Sequence, residues 1–324
     1  MHDIITIGAG TRDVFLISDQ FTFIQSTVFE NGVGECVSLG SKIELDSIVH
    51  STGGGATNAA TTFARLGLKT SVICRVGDDG SGRDLLIDLQ REGIGTTLVR
   101  RVEGGVTGYS TLLTTKSGER TVLVYRGVSG EFTAKDIPFG DCETRWMYMT
   151  SLGGNVALAK QIIAYAKQCG TQVAWNVGRK EIAKGLVHIR PALKDVRVFN
   201  LNREEAEKLT KEKELKKMFT ALATKGNVVM ITDGENGAYA HQDGKTYFAG
   251  TSPVKAVSRT GAGDAFGSGF VAEFMKTGDV PSALAVGTIN AESVIRQIGA
   301  KAGIMRKFPT LSQCKRVPIR TISL

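Results

Sequence analysis

The sequence is short of the residues that mark several common chemistries. Its five cysteines, Cys36, Cys74, Cys142, Cys169 and Cys314, are scattered and form no CxxC pair. That argues against a zinc site and for reduced thiols in a cytoplasmic setting. The four histidines, His2, His50, His188 and His241, make no HExxH pattern and no close pair, so each reads as a surface or packing residue. No apolar run approaches the roughly 18 residues of a membrane span. The N-terminal "MHDIITIGAG" lacks the basic region and long apolar run of a signal peptide, and no membrane partner is expected. Prolines number six, with no proline-rich linker, internal repeat or low-complexity tract. Two phosphate-binding fingerprints are missing as well. There is no GxxxxGK[ST] loop. "GAGTRD" (8–13) follows a strand-like run, but a GxGxxG motif needs glycine where Asp13 stands. A nicotinamide dehydrogenase of the Rossmann type is disfavoured at its most diagnostic position.

Charge adds a further exclusion. The formal net charge of +8 is spread over the chain, and the densest run, "REEAEKLTKEKELKK" (203–217), mixes both signs. A nucleic-acid reader concentrates its positive charge in a stripe with interleaved aromatics. No nucleic-acid partner is expected, and an anionic substrate accounts for the basic balance equally well.

Short apolar β-rich runs alternate with helical patterns along the chain. Strands are predicted at 3–8, 70–77, 171–178, 196–202 and 227–234. Helices are predicted at 57–67, 155–170, 202–210, 213–226 and after Thr260, with Gly67, Gly170 and Gly226 as C-terminal caps. This alternation, with nearly unbroken apolar strands, predicts a doubly wound α/β fold: a mainly parallel sheet sandwiched by helices. Residues of about 14–50 and 101–127 break the rhythm with strand-like alternation and no following helix. "TGYSTLLTTKSGERTVLVYRG" (107–127) reads as a hairpin turning at Lys116–Glu119. A small antiparallel β lid inserted into one 1–324 domain is the simplest account. Such a flap either closes over a ligand or is a plain surface hairpin.

Glycine is abundant, and its placement carries the chemistry. "AVSRTGAGDAFGSGF" (256–270) sets Gly261, Ala262, Gly263 and Asp264 at the mouth of a helix whose Phe266, Phe270 and Phe274 form a four-residue stripe. Successive amides at a helix start, unobstructed by side chains, suit a phosphate or a phosphoryl group in transfer. A carboxylate there repels an anion. Asp264 is therefore either a base that takes a proton from an attacking hydroxyl or a residue interacting with the helix dipole. Gly267 and Gly269 lie inside the helix, where each costs about 1 kcal/mol relative to alanine, so something requires bare backbone. "STGGGATNAATTFARLG" (51–67) places Gly53, Gly54 and Gly55 before a helix beginning near Asn58. That turn either presents polar groups to a polyol, together with Asp13, or simply lets helix and strand pack.

In this order, the pieces resemble the PfkB or ribokinase family of carbohydrate and nucleoside kinases. The stretches carrying the likeness are "GGGATNAATTFARLGLKTSVICRVGDDGSG" and "SRTGAGDAFGSGF", within a similarity running from "ITIGAGTRD" to "IGAKAGI" (298–304). The resemblance implies an ATP-dependent kinase acting on a hydroxymethyl group of a small unphosphorylated sugar, with a nucleoside as the alternative acceptor. It implies Asp264 as catalytic base and the Gly261, Ala262, Gly263 and Asp264 amides as the anion hole. Asp13, Gly54, Gly55 and Asn58 would grip the acceptor. Asn202, Thr232, Gly234, Gly237 and Asn290 would meet ATP, and Asn202 and Glu205 of "NREE" would organise Mg2+ through water. The lid would cover the sugar and could mediate a homodimer. Two positions depart from the family's pattern. Gly55 stands where ribokinases usually have lysine, which disfavours both ribose and a sugar phosphate as acceptor. Ser258 stands where an aspartate usually helps bind K+, so weak dependence on a monovalent cation is expected. A catalytically silent binding protein on the same fold is the other class of outcome.

Overall fold

The computed structural model describes residues 1–30, 32–115 and 120–324. Its largest sheet has nine strands. Six are parallel and lie in the order Thr70–Ile73, His2–Ile7, Thr144–Met149, Gln172–Asn176, Val198–Asn202 and Val228–Thr232. Three antiparallel strands, Ala238–Gln242, Lys245–Ala249 and Ile319–Ile322, extend it beyond the last of these.

Successive side chains on each parallel strand enter cores on opposite faces, as the two-residue strand period requires. Ile5, Met147, Val173, Trp175, Phe199 and Val229 join one core, beneath the Val156–Gln168, Arg203–Thr210 and Leu215–Leu222 helices. Ile4, Trp146, Tyr148, Ala174, Val198 and Met230 join the other, covered by the Gly55–Arg65, Ala262–Thr277 and Val280–Val294 helices. Burial on both faces is why these strands read as apolar runs rather than alternating ones.

Every predicted parallel strand is present, but the 70–77 run is broken into Thr70–Ile73 and Arg75–Gly77, the latter pairing with Arg100–Val102. Gly67 and Gly170 are left-handed and follow the ends of their helices. Gly226 is also left-handed but lies past the end of Leu215–Leu222, in the turn before the next strand.

The lid is a four-stranded sheet ordered Arg120–Tyr125, Gly108–Thr114, Thr11–Ile17 and Ser47–Gly53. Its outer pairs are antiparallel and its middle pair is parallel. It starts at Thr11 rather than near residue 14, so Asp13 is part of a lid strand, aligned with Ser51 and Ser110. A two-stranded piece, Thr22–Gln25 with Val33–Cys36, completes the first insertion. The predicted turn at Lys116–Glu119 lies outside the described residues. No described helix is long and apolar enough to cross a membrane.

Candidate active site

The carboxyl ends of the central strands converge on one edge, where ligands bind in open α/β sheets. The segments leaving that edge carry Gly8, Thr150, Asn176, Asn202 and Thr232, and the last two face each other in register. The Ala262–Thr277 helix starts above them. Gly261 caps it in the left-handed region (φ 83°), and no side chain caps it. A Cβ at Gly261 would lie 2.5 Å from the Ala300 Cβ. Both the conformation and the close approach therefore require glycine.

A helix start leaves its first N–H groups without intrahelical partners. Ala262 N–H donates weakly to the Arg259 carbonyl at 3.4 Å. The N–H groups of Gly263 and Asp264 have no acceptor among the described residues. Gly263 is exposed, and a Cβ added there would meet nothing within 4 Å. This is an open pair of donors at the positive end of a helix.

Asp264 sits in the first turn of that helix. Asn58 Nδ2 donates to its Oδ2 at 2.9 Å, and Asn176 Nδ2 lies 3.5 Å from its Oδ1. Burial pushes its carboxyl above the usual carboxylate range; the Asn58 amide opposes the shift and the charge of Asp13 adds to it. Asp13 is buried and accepts from Thr11 Oγ1 at 3.0 Å. Its carboxyl is also raised by burial, against the hydroxyls of Thr11 and Ser110 and the charges of Lys301 and Arg12. Glu205 is raised too, first by burial, with Asp264 and Glu204 adding to the shift and Arg179 opposing it. Asp13 and Glu205 each interact electrostatically with Asp264, and burial raises all three carboxyl groups.

The glycine turn at Gly53–Gly55 leads into the Gly55–Arg65 helix, which begins three residues before Asn58. Gly53 makes room for Asp13, whose Oδ2 would lie 1.9 Å from a Cβ at that position. Gly54 has φ 93° and packs on the Ala9 carbonyl. Gly55 faces Thr150, whose methyl would be 3.0 Å from an added Cβ. The space released by the missing lysine is therefore partly taken by Thr150.

Other expected residues fall into different roles. Asn202 and Glu205 form a reciprocal cap: Asn202 Oδ1 accepts from the Glu205 N–H and Glu205 Oε2 from the Asn202 N–H. Glu205 Oε1 has no hydrogen-bond partner among the described residues, so the pair still offers one hard oxygen to a hydrated cation. Thr232 ends its strand, and Gly234 and Gly237 (φ 57° and 100°) shape the turn that follows.

Asn290 is corrected. It is fully buried, its amide donating to Thr62 Oγ1 and the Ala265 carbonyl and its oxygen accepting from the Met305 N–H. It ties helices together and has no free amide hydrogen for a nucleotide. Gly267 and Gly269 are required by packing inside the fold. A Cβ at Gly267 would strike the Asn200 amide and the Tyr148 hydroxyl, and one at Gly269 would crowd Asn290 and Gly287. Ser258 is buried, and its hydroxyl accepts from the Thr260 N–H at 3.3 Å.

Sequence reasoning missed Asn176, Tyr148 and Glu181. Tyr148 lies beside Asn176 and Asn200, beneath Asp264. Glu181, fully buried, accepts from the Leu152 and Gly154 N–H groups at 2.6 and 2.9 Å and from the Ser151 hydroxyl. It fastens the turn after Met149. Nothing in the local pattern around these residues marks them, because their partners are distant in the chain.

The chain is similar to several known proteins. A family model described as "pfkB family carbohydrate kinase" matches residues 28–306. The ribokinase of Haemophilus influenzae is 29% identical over 80% of this chain and 86% of its own. Among solved structures, the adenosine kinase of Sinorhizobium meliloti superposes with TM-score 0.76 at 20% identity, covering 94% of this chain and 97% of its own. A putative ribokinase II from E. coli, in complex with ATP and Mg2+, does so with TM-score 0.76 at 18% identity, covering 94% and 96%. With the family model spanning most of its length, the chain belongs to the PfkB family of carbohydrate kinases.

Proposed function

We propose that the protein transfers the γ-phosphoryl group of ATP to a hydroxymethyl group of a small unphosphorylated sugar. The observation that carries this reading is the pairing of Asp264, fixed by Asn58, with the two unpartnered amides of the same helix start. Asp13 and Asn58 bind and orient the acceptor's hydroxyls. Asp264 takes the hydroxyl proton as the oxygen attacks, and its raised pKa makes it a stronger base than a solvated aspartate. The Gly263 and Asp264 N–H groups receive the charge that spreads over the phosphoryl oxygens. The turn after Thr232 meets the nucleotide's phosphates. The free oxygen of Glu205 suits a magnesium-bound water, as Mg2+ prefers few direct protein ligands. Bound there, Mg2+ supplies positive charge to the phosphate oxygens. The lid excludes water that would otherwise accept the phosphoryl group, and its exposed Arg120–Tyr125 edge strand is where a second copy would pair.

A nucleoside is the second acceptor class, favoured by the absence of a lysine at Gly55. A coupled ADP-release screen over sugars, sugar phosphates and nucleosides tests the assignment. Stimulation by an unphosphorylated sugar supports it. Preference for a nucleoside selects the second reading, and preference for a sugar phosphate contradicts both. Because Ser258 offers no carboxylate, turnover should differ little between potassium and a bulky quaternary ammonium salt; a tenfold stimulation by potassium would contradict this.

A further inference from the structure

The Gly80–Arg91 helix carries Asp84 and Asp88, with Glu92 at its end, in one stripe at four-residue spacing. Each meets a cation from a different element of the site. Arg12, beside Asp13 on the lid strand, pairs with Asp84 at 3.4 Å. Arg65, at the end of the helix that carries Asn58, grips Glu92 through two nitrogens at 2.6 and 2.8 Å. Lys301 pairs with Asp88 at 3.3 Å and is the most enclosed of the three cations, its side chain 7% exposed.

Lys301 also donates to Thr52 Oγ1 at 2.7 Å, and Thr52 in turn donates to Asp88. Thr52 is in the lid strand, next to Ser51, which faces Asp13. At its backbone end, Lys301 follows Ala300, the residue packed against Gly261. Its carbonyl is held by Arg65 at 2.8 Å. Gly299, two residues earlier, lies close to Ser51: a Cβ added there would be 3.4 Å from the Ser51 hydroxyl. One side chain therefore spans from the strand that positions the acceptor to the segment that backs the phosphoryl-binding amides.

Burial of an ammonium is costly unless its hydrogen bonds are satisfied. For packing alone an apolar residue would serve at this enclosed position, since replacing an enclosed ion pair by apolar side chains is often neutral or stabilising. We propose that Lys301 is a positioning residue, whose ammonium fixes the lid strand against the 298–304 segment and so sets the distance between acceptor and phosphoryl group. It touches neither reactant. The inference rests on the kinase reading above, because only in that reading do the two ends of the bridge hold two reactants.

Two variants test it. Thr52→Val removes only the hydroxyl at the lid end, and Lys301→Met keeps the stem and removes the charge. Each should lower kcat over acceptor KM by at least about tenfold, since small misplacements are costly in transfer reactions, with the ATP KM within about twofold. The double variant should be no worse than the poorer single one, as for residues acting through one bridge. Hydrogen exchange, which needs no turnover, should show faster exchange in residues 47–53 and 257–265 together in Thr52→Val. If Lys301→Met fails to fold, Thr52→Val carries both measurements. Unchanged kinetic constants per folded molecule, additive losses, or faster exchange confined to the lid would overturn the proposal. Absence of turnover in the unmodified protein would overturn the kinase reading, while the exchange result would still decide whether the bridge couples the two segments.

Discussion

Two helix starts in this molecule look alike in sequence and behave in opposite ways. Arg203–Thr210 and Ala262–Thr277 both have an acidic residue at the third helical position, Glu205 and Asp264. At the first, Asn202 and Glu205 satisfy each other's backbone N–H groups in a closed capping box. At the second, glycine replaces the capping side chain, Asp264 does not reach back, and an amide from another helix holds it instead. The closed start serves the fold first. The open start leaves two backbone donors unpartnered beside a carboxylate, and that is where we propose the phosphoryl group fits. The comparison teaches that the functional helix end is the one whose own side chains fail to finish it.

The comparison breaks most sharply if the two acids are exchanged for their amides. Asp264→Asn should lower kcat by at least about 10²-fold, the scale of a lost general base. ATP and acceptor affinity should stay within a few-fold. Glu205→Gln should cost far less, and its loss should be recovered in part at high magnesium. The sign for stability is also fixed. A carboxyl whose folded pKa is raised destabilises the fold as pH rises through that value. Asp264→Asn should therefore raise Tm at neutral pH. Similar kinetic losses in both variants, or a lowered Tm for Asp264→Asn, would contradict the account.

A smaller effect comes from covering the open donors. At Gly263 an added methyl meets no neighbour, and alanine is the better helix former by about 1 kcal/mol. Gly263→Ala should stabilise the protein while lowering kcat by about tenfold, by placing carbon where a phosphoryl oxygen approaches. A variant both more stable and fully active would show that these amides do not face the reacting group.

The acid limb of kcat over KM sharpens the picture further. The Asn58 amide holds the Asp264 pKa down and the Asp13 charge pushes it up. Asn58→Ala should move the limb to higher pH and Asp13→Asn to lower pH, whatever either does to acceptor binding. Shifts in the same direction would remove Asp264 as the titrating group. The smallest effect belongs to the closed start, where Asn202→Ala should cost about 1 kcal/mol of stability in denaturant melts, the usual value of a cap.

Much of this was legible in the sequence, and the omissions have physical causes. The parallel strands announced themselves because both faces are buried. The Phe266–Phe270–Phe274 stripe marked its helix, and all three rings are buried. The Val280–Val294 helix gave no amphipathic signal because it is buried on several faces, with an unbroken buried run from Ala283 to Thr288. At the site, the acidic residue and the glycines before it were readable from spacing. The contacts that explain Gly53 and Gly267 were not, since Asp13, Tyr148 and Asn200 approach them only after folding. The N-x-x-E pattern at Asn202 carried two meanings, a cation site and a capping box, and the capping box was readable from local rules alone. Asn290 sits in a motif-rich region, but its neighbours use every hydrogen it can donate.

The most direct test of the central claim follows the phosphoryl group itself. The protein is incubated with ATP labelled at the γ-phosphate, with and without a pool of unphosphorylated sugars and nucleosides, and the products are separated. The account predicts that label moves into a phosphomonoester only when an acceptor is present, and that Asp264→Asn nearly abolishes this transfer. Label released as inorganic phosphate regardless of acceptor, or retained on ATP under all conditions, would contradict it.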